Sequence, residues 1–405
     1  MGFSVGVVGK PSCGKTSFTN AACMTDFKVG SYPFTTIDAN VGVTHVRAKC
    51  ACLDFDVEDN PQNSICIDGI RLIPVKLIDV AGLVPGAHEG RGMGNKFLDD
   101  LRQADVLIHI VDSSGTLDSE GQEVAAGTHD PVEDVRWLEQ ELTEWILGII
   151  QKDWRRISGR VRAEGAKLDE LLLEKLSGLR VERGHILKAI RDSDLRAESA
   201  DQWDESDLRR FSSNLQQIAK PIIIAANKID RPTAEDNYKN LTEEFPDRLI
   251  VPVSALAEKA LKDMDRKGII SYIPGGDDFE ILDSSSLSSG ETAQLERLRN
   301  DLLSKFGGTG VQEILNRAVF EYLDMITVYP VHDISGLSDS DGNVLPDVFL
   351  VPKGTTAKEF AGYVHSDLMD SFLHAIDART KMRISEKHVL QDRDVIKIVS
   401  TKGSK

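Results

Sequence analysis

The stretch from Gly9 to Thr16, GKPSCGKT, constrains this chain more than any other. It matches G-x-x-x-x-G-K-[ST], follows the apolar run FSVGVVG, and precedes KTSFTNAAC, which can start a helix. Strand, glycine turn and helix in that order make a phosphate cradle. The glycines let backbone N–H groups curl around phosphate oxygens, and the helix N-terminus adds its dipole. The expected cradle residues are Gly9, Pro11, Ser12, Cys13, Gly14, Lys15, Thr16 and Ser17. Lys15 would neutralise the β- and γ-phosphates during catalysis, and Thr16 would offer its hydroxyl to Mg²⁺. The bland alternative is a glycine-rich turn with a chance lysine.

Later motifs speak against that alternative. PIIIAANKID reads as a buried strand running into Asn227, Lys228 and Asp230. An aspartate there can accept two hydrogen bonds from guanine, from its ring N–H and its exocyclic amine, and adenine has neither donor. Charge-assisted bonds worth about 1.5–3 kcal/mol each make a guanine preference of several hundredfold or more. Lys228 is expected along the base, and Asn227 as a brace for the loop. LIVPVSA then reads as a strand ending at Ser254 and Ala255, with the Ala255 N–H placed for the guanine oxygen.

Between cradle and base reader lie two candidate γ-phosphate sensors. SYPFTTIDANVG offers Thr35 and Thr36, of which Thr36 is preferred as a Mg²⁺ ligand; an ordinary turn is the competing reading. LIDVAGLVPGAHEG supplies Asp79 for a Mg²⁺-bound water and the Gly82 N–H for the γ-phosphate. The next residue is Leu83, where many nucleotide hydrolases use glutamine to aim water, and leucine cannot hydrogen-bond to it. His88 is the candidate for orienting water and Arg91 for stabilising charge. Exposed loop residues with no catalytic part are the alternative for both. Glycines at 86, 90, 92 and 94 suit a segment that orders around a phosphate.

Composition narrows the setting. A formal net charge of −17 argues against attraction of the whole chain to nucleic acid and leaves only a local basic surface for it. No apolar run is long enough to span a membrane. The N-terminus lacks the pattern of a signal peptide, so a cytoplasmic protein is expected. Nothing marks a dimer, and a monomer is expected.

The strand VLIHIVD ends at Asp112, yet the base reader begins only at Asn227. That gap exceeds an ordinary loop. Val135, Leu138, Leu142, Trp145 and Ile149 stand at helical spacing inside it, and a second helical run covers about 165–191. The stripe reads as the insertion's own core. Cys50 and Cys52 followed by Cys66 form part of a zinc pattern. No fourth ligand stands at a standard spacing; His45 and Asp54 are the candidates, and reduced thiols in a β-hairpin are the competing reading. From Val351 to Lys405 ten Lys/Arg against seven Asp/Glu give +3, with Lys353, Arg379, Lys381, Arg383 and Lys387 able to face phosphates.

These residues resemble the Obg-type GTPases and, within them, the YchF-like branch. The resemblance rests on GKPSCGKT, YPFTTIDANVGV, DVAGLVPGAHEGRGMGNKFLDDLRQAD, NKID and SAL. It covers most of the chain, because VFLVPKGTTAKEFAGYVHSDL through VLQDRDVIKIV is similar to a TGS domain, a small β-grasp module. The implied fold is α/β: a P-loop GTPase domain with a mostly parallel sheet over 1–127 and 216–322, a coiled-coil-like helical insertion over 128–215, and the TGS domain over 323–405. The resemblance implies slow, Mg²⁺-dependent turnover of GTP to GDP without a switch glutamine. It also implies association with ribosomes or RNA, through the TGS domain. Some YchF relatives accept ATP and lack the terminal Asp of the base reader, whereas NKID is intact here and favours GTP. Many potassium-activated relatives carry Asn where this chain has Ser12, so this position gives no support to potassium activation. A nucleotide-gated RNA- or ribosome-binding protein with incidental turnover is the reading from a different class.

Overall fold

The computed structural model describes residues 3–23, 41–80, 82, 86 and 100–401. Its larger sheet has seven strands: β1 (Ser4–Val8), β2 (Val41–Lys49), β3 (Ile65–Ile67), β4 (Ile70–Asp79), β5 (Val106–Asp112), β6 (Ile222–Asn227) and β7 (Ile250–Val253). The spatial order is β2-β4-β1-β5-β6-β7, with β3 on β4. The four pairings from β4 through β1, β5 and β6 to β7 are parallel, and β2 and β3 run antiparallel to β4. β1, β5 and β6 are buried along their whole length, as strands covered on both faces must be, and their near-continuous apolar sequence follows from that.

Parallel strands place their carboxyl ends on one edge. Gly9 after β1, Asp79 at the end of β4, Asp112 ending β5, Asn227 ending β6 and Ser254 after β7 therefore share that edge. β1 lies between β4 and β5, so the chain reverses its direction of travel across the sheet there, and such a switch point opens a crevice at the carboxyl ends.

Five α-helices fill the stretch between β5 and β6: Pro131–Gln151, Trp154–Glu164, Leu168–Leu176, Arg183–Asp192 and Glu205–Ala219. Pro131 opens the first, and the Asp130 carboxylate accepts from the Val132 N–H at 3.0 Å. The run expected over 165–191 is broken by a 3₁₀ turn, Ser177–Leu179, and by Arg180 at φ 55°. The apolar stripe does not form a core of its own. Leu138, Leu142 and Trp145 share one cluster with Val8, Ile78, Leu107 and Ile222 of the sheet, and Val135 packs with Val111, Ile224 and Ala226. The insertion is thus seated on one sheet face. Periodicity told which residues are buried, but not against what.

The other face carries α1 (Lys15–Ala22) and the helix Val311–Arg317. β8 (Ile270–Ser271) and β9 (Glu280–Ile281) form a small separate ribbon. The C-terminal module is a five-stranded sheet of β10 (Met325–Pro330), β11 (Phe349–Pro352), β12 (Phe372–Asp377), β13 (Arg383–Ile384) and β14 (Asp394–Ser400), ordered β11-β10-β14-β12-β13. Its central pair, β10 and β14, is parallel, and the helix Ala357–Val364 packs Phe360 edge-on to Phe349, with ring centroids 5.8 Å apart. This is the β-grasp arrangement. Tyr329, Leu345 and Val348 of this region join the core beneath β1, β4 and β5.

Leu142 is 1% exposed inside the shared cluster. Leu142→Ala should cost about 2–5 kcal/mol and lower the whole urea transition of the nucleotide domain. A separate early transition of the insertion, with the sheet's amide protection intact, would show that the helices form an independent bundle.

Candidate functional site

Backbone conformation builds the cradle. Gly14 caps α1 with φ 105°, a left-handed geometry, and a Cβ placed there would meet the Asn227 side-chain amide at 2.3 Å. Ser12 is also left-handed, at φ 62°. The Lys15 ammonium is buried and donates to the carbonyls of Gly9 and Lys10 at 3.0 and 2.7 Å. Gly82 lies against both Pro11 and the Lys15 ammonium: a Cβ placed on it would stand 3.2 Å from that ammonium and 3.5 Å from Pro11. Thr16 is exposed and Ser17 half-buried at the head of α1.

Asn227 spans the crevice. Its amide N–H donates to the Cys13 carbonyl at 3.0 Å, and its amide oxygen accepts from the Ala255 N–H at 3.3 Å. One side chain therefore ties the cradle to the loop after β7. The Ala255 N–H has Asn227 as its partner in this arrangement. Ser254 caps the next helix by accepting from the Ala257 N–H at 3.3 Å, while its hydroxyl donates to the Asp230 carboxylate at 2.6 Å. Asp230 is otherwise exposed. Lys228, at φ 64°, pairs with the Asp112 carboxylate at 3.0 Å.

Asp112 is a site residue that sequence reasoning missed. Burial pushes its pKa up, but hydrogen bonds from Ser114, Thr116 and Lys228 outweigh this and hold it below the usual carboxylate range. Its position at the end of β5, level with Asn227 across the ladder, was the available signal. Asp79 shows the opposite balance. Burial raises its pKa, with Lys15 acting against this and Asp100 reinforcing it. A hydroxyl at Thr16 and a half-buried carboxylate at Asp79, next to a second acidic group, are hard oxygen donors that fit Mg²⁺. The Cys13 thiol and the His109 ring fit no chemical role. Burial holds the Cys13 thiol above its ordinary value, against oxidation as a thiolate. Burial, reinforced by Lys15 and Lys10, pushes His109 down to about 3, so it stays neutral.

The cradle also reaches the insertion. Lys10 is 1% exposed, pairs with Asp134 at 2.7 Å and donates to the Leu117 carbonyl at 2.9 Å. His129 contacts the same carboxylate at 2.8 Å. The Gly86 N–H donates to Glu141 at 2.7 Å. Nothing in the motif pattern marks Lys10, because it fills a position where any residue is allowed.

Thr35, Thr36, Leu83, His88 and Arg91 lie outside the described residues. In the C-terminal module Arg379 is exposed and also makes a contact that its position in the sequence does not show. It bonds Asp54 at 2.8 Å and stacks over Phe55 at 4.9 Å, so it belongs to the junction with the nucleotide domain. Among the described residues no helix is long and apolar enough to cross a membrane.

Family models match three stretches: a 50S ribosome-binding GTPase over residues 4–139, an Obg-like GTPase YGR210-like, G4 motif-containing domain over 225–333, and a TGS domain over 341–400. The chain is 48% identical over 396 residues to the GTP-binding protein MJ1332 of Methanocaldococcus jannaschii, covering 98% of both. It is 23% identical over 426 residues to the ribosome-binding ATPase YchF of Bacillus subtilis, again covering 98% of both. A solved GTP-binding protein from Pyrococcus horikoshii OT3 superposes with a TM-score of 0.78 at 39% identity, over 98% of this chain and 100% of that one.

Asp134→Ala would leave the Lys10 ammonium buried without its carboxylate and should cost about 3–5 kcal/mol in urea unfolding. Lys10→Met combined with Asp134→Leu should recover most of that loss. A single variant as stable as the wild type would show that the pair does not hold the cradle.

Proposed function

The chain belongs to the YchF-like branch of the Obg-type GTP-binding proteins that carry a TGS domain, and we propose that it is a Mg²⁺-dependent GTPase, hydrolysing GTP slowly to GDP and phosphate as a switch on the ribosome. One observation carries the nucleotide part. The Asn227 amide joins the Cys13 carbonyl to the Ala255 N–H, which sets a phosphate cradle and a base-reading loop at a fixed spacing. Ser254 orients the exposed Asp230 carboxylate, and that supports guanine over adenine.

In this reading the Lys15 ammonium exchanges the carbonyls of Gly9 and Lys10 for β- and γ-phosphate oxygens. The backbone of Gly9, Pro11, Ser12, Cys13, Gly14, Thr16 and Ser17 surrounds the phosphates. Thr16, Thr36 and Asp79, the last through a water, would hold Mg²⁺, which neutralises charge developing on the phosphates. The Gly82 N–H meets the γ-phosphate, and its closeness to Lys15 supports that role. Leu83 keeps water out and cannot aim it, so His88, the γ-phosphate or a partner positions the nucleophile. His88 therefore contributes modestly to the rate.

The ribosomal part rests on the family descriptions, one of which is a ribosome-binding GTPase, and on the TGS module. Gly86 bonded to Glu141, and Lys10 to Asp134, support a route by which phosphate contacts reach the helical insertion.

Steady-state hydrolysis by the purified chain, with GTP and ATP in parallel and with or without ribosomes from its own source, tests this. The expected result is slow basal GTP turnover raised at least tenfold by ribosomes, about 1.4 kcal/mol of barrier. Faster ATP turnover would make it an ATPase of the YchF type. A GTP rate that ribosomes leave unchanged would favour nucleotide-gated binding with incidental turnover.

A further inference from the structure

Between β2 and β3 the chain leaves the sheet for residues 50–64 and returns. Cys50 follows β2, Cys52 opens the helical turn Cys52–Phe55, Asp59 lies beyond it, and Cys66 sits in β3. Their three sulfurs and one carboxylate oxygen all lie within 4.8 Å of one another. We propose that Cys50, Cys52, Asp59 and Cys66 bind one structural zinc ion, which fastens this excursion at the junction with the C-terminal module.

Geometry is the first ground. Zinc bonds of about 2.3 Å to sulfur and 2.0–2.2 Å to oxygen give tetrahedral edges of roughly 3.5–3.8 Å. The Cys52 and Cys66 sulfurs are 3.9 Å apart, and the Cys50 sulfur is 3.1 Å from the Asp59 carboxylate. Sub-ångström movements close such a set around a single ion. The separation is far too large for a sulfur–sulfur bond of about 2.05 Å. A C-x-C knuckle, an aspartate and a cysteine from the adjoining hairpin supply four ligands, which is a closed structural site without a position for substrate.

The surroundings are the second ground. Three thiolates and a carboxylate around a divalent ion leave the centre net negative. Arg71, fully buried on β4 and paired in register with Cys66, faces it and bonds Asp59 at 3.2 Å. The Cys52 N–H points at the Cys50 sulfur at 3.5 Å, the kind of outer contact that steadies a metal-bound thiolate. The buried Tyr329 hydroxyl lies against the Cys50 sulfur and the Ala51 backbone. A metal-bound thiolate at Cys50 could accept from that hydroxyl. His45 and Asp54, the ligands expected from sequence, are excluded. His45 lies outside this set, and Asp54 is engaged by Arg379 and Arg393 at 2.8 Å.

The excursion carries much of the inter-module contact. The Asn60 and Gln62 N–H groups donate to the Val344 and Pro346 carbonyls at 2.8 and 2.7 Å, and Arg71 bonds the Leu345 carbonyl. An ion at its base would hold Asp54, Asn60 and Gln62 in register with the C-terminal module.

The test is metal analysis of the full chain, made without a polyhistidine tag in zinc-containing medium and desalted. About one zinc per chain is expected, falling at least tenfold in Cys66→Ser and persisting in Cys23→Ser. Cobalt added to the metal-stripped wild type should give near-ultraviolet thiolate-to-cobalt charge transfer and intense visible bands of tetrahedral cobalt. That readout needs no variant to fold. Chelation should lower the wild-type melting temperature by several degrees. Zinc at wild-type level in a folded Cys66→Ser protein would place the ion elsewhere and overturn the proposal. So would a wild type with less than about a tenth of a zinc per chain and no charge-transfer band. A Cys52–Cys66 disulfide in the native protein would overturn it equally.

Discussion

The Asn227 side chain is the contact on which the rest depends. Its amide donates to the cradle through Cys13 and accepts from the loop after β7 through Ala255. Both partners are backbone groups at the carboxyl edge of a buried parallel sheet, so their positions follow from strand register and not from flexible side chains. The contact is also tight: Gly14 passes so close to the amide that no side chain fits there. Lys228, in a left-handed conformation next to Asn227, adds a second tie through Asp112.

Around that edge three parts are joined by packing and by buried polar contacts. The insertion shares its apolar core with β1, β4, β5 and β6, and its first helix meets the cradle through Lys10 and Asp134. The C-terminal module meets the opposite side of the sheet. Asp54 receives both Arg379 and Arg393, and although burial alone would raise its pKa, these guanidinium groups and Lys49 hold it below the usual range. Phosphate cradle, insertion and TGS module are therefore mechanically continuous, which a GTP-binding switch requires if nucleotide state is to be felt at a distance.

Much of this was legible in the sequence because it is local. GKPSCGKT fixes a strand, a turn and a helix start, and NKID and SA end strands whose apolar runs announce burial on both faces. The TGS module was legible by resemblance. What escaped depends on contacts between distant segments. Lys10 stands at an unconstrained motif position, and only the fold shows it buried against Asp134, more than a hundred residues away. Arg379 stands in a basic stretch, and only the fold shows that its exposed guanidinium also bonds Asp54 of the nucleotide domain. The insertion's stripe picked out Val135, Leu138, Leu142 and Trp145, which are buried, and Ile149, which is half-buried, but not the sheet they pack against. Asp59 stands at no standard ligand spacing from the cysteines, and only the fold brings its carboxylate among their sulfurs.

Calorimetric titration of the nucleotide-free chain with GDP and ADP, in the presence of Mg²⁺, tests the central claim most directly. If Asp230, held by Ser254, reads guanine as proposed, GDP should bind at least about a hundredfold more tightly than ADP, close to 2.7 kcal/mol. Asp230→Asn should erase most of that margin and favour xanthosine diphosphate, whose exocyclic carbonyl accepts from an amide. Equal affinity for GDP and ADP, unchanged by Asp230→Asn, would contradict the account, because the base would then be held without the carboxylate that the crevice presents.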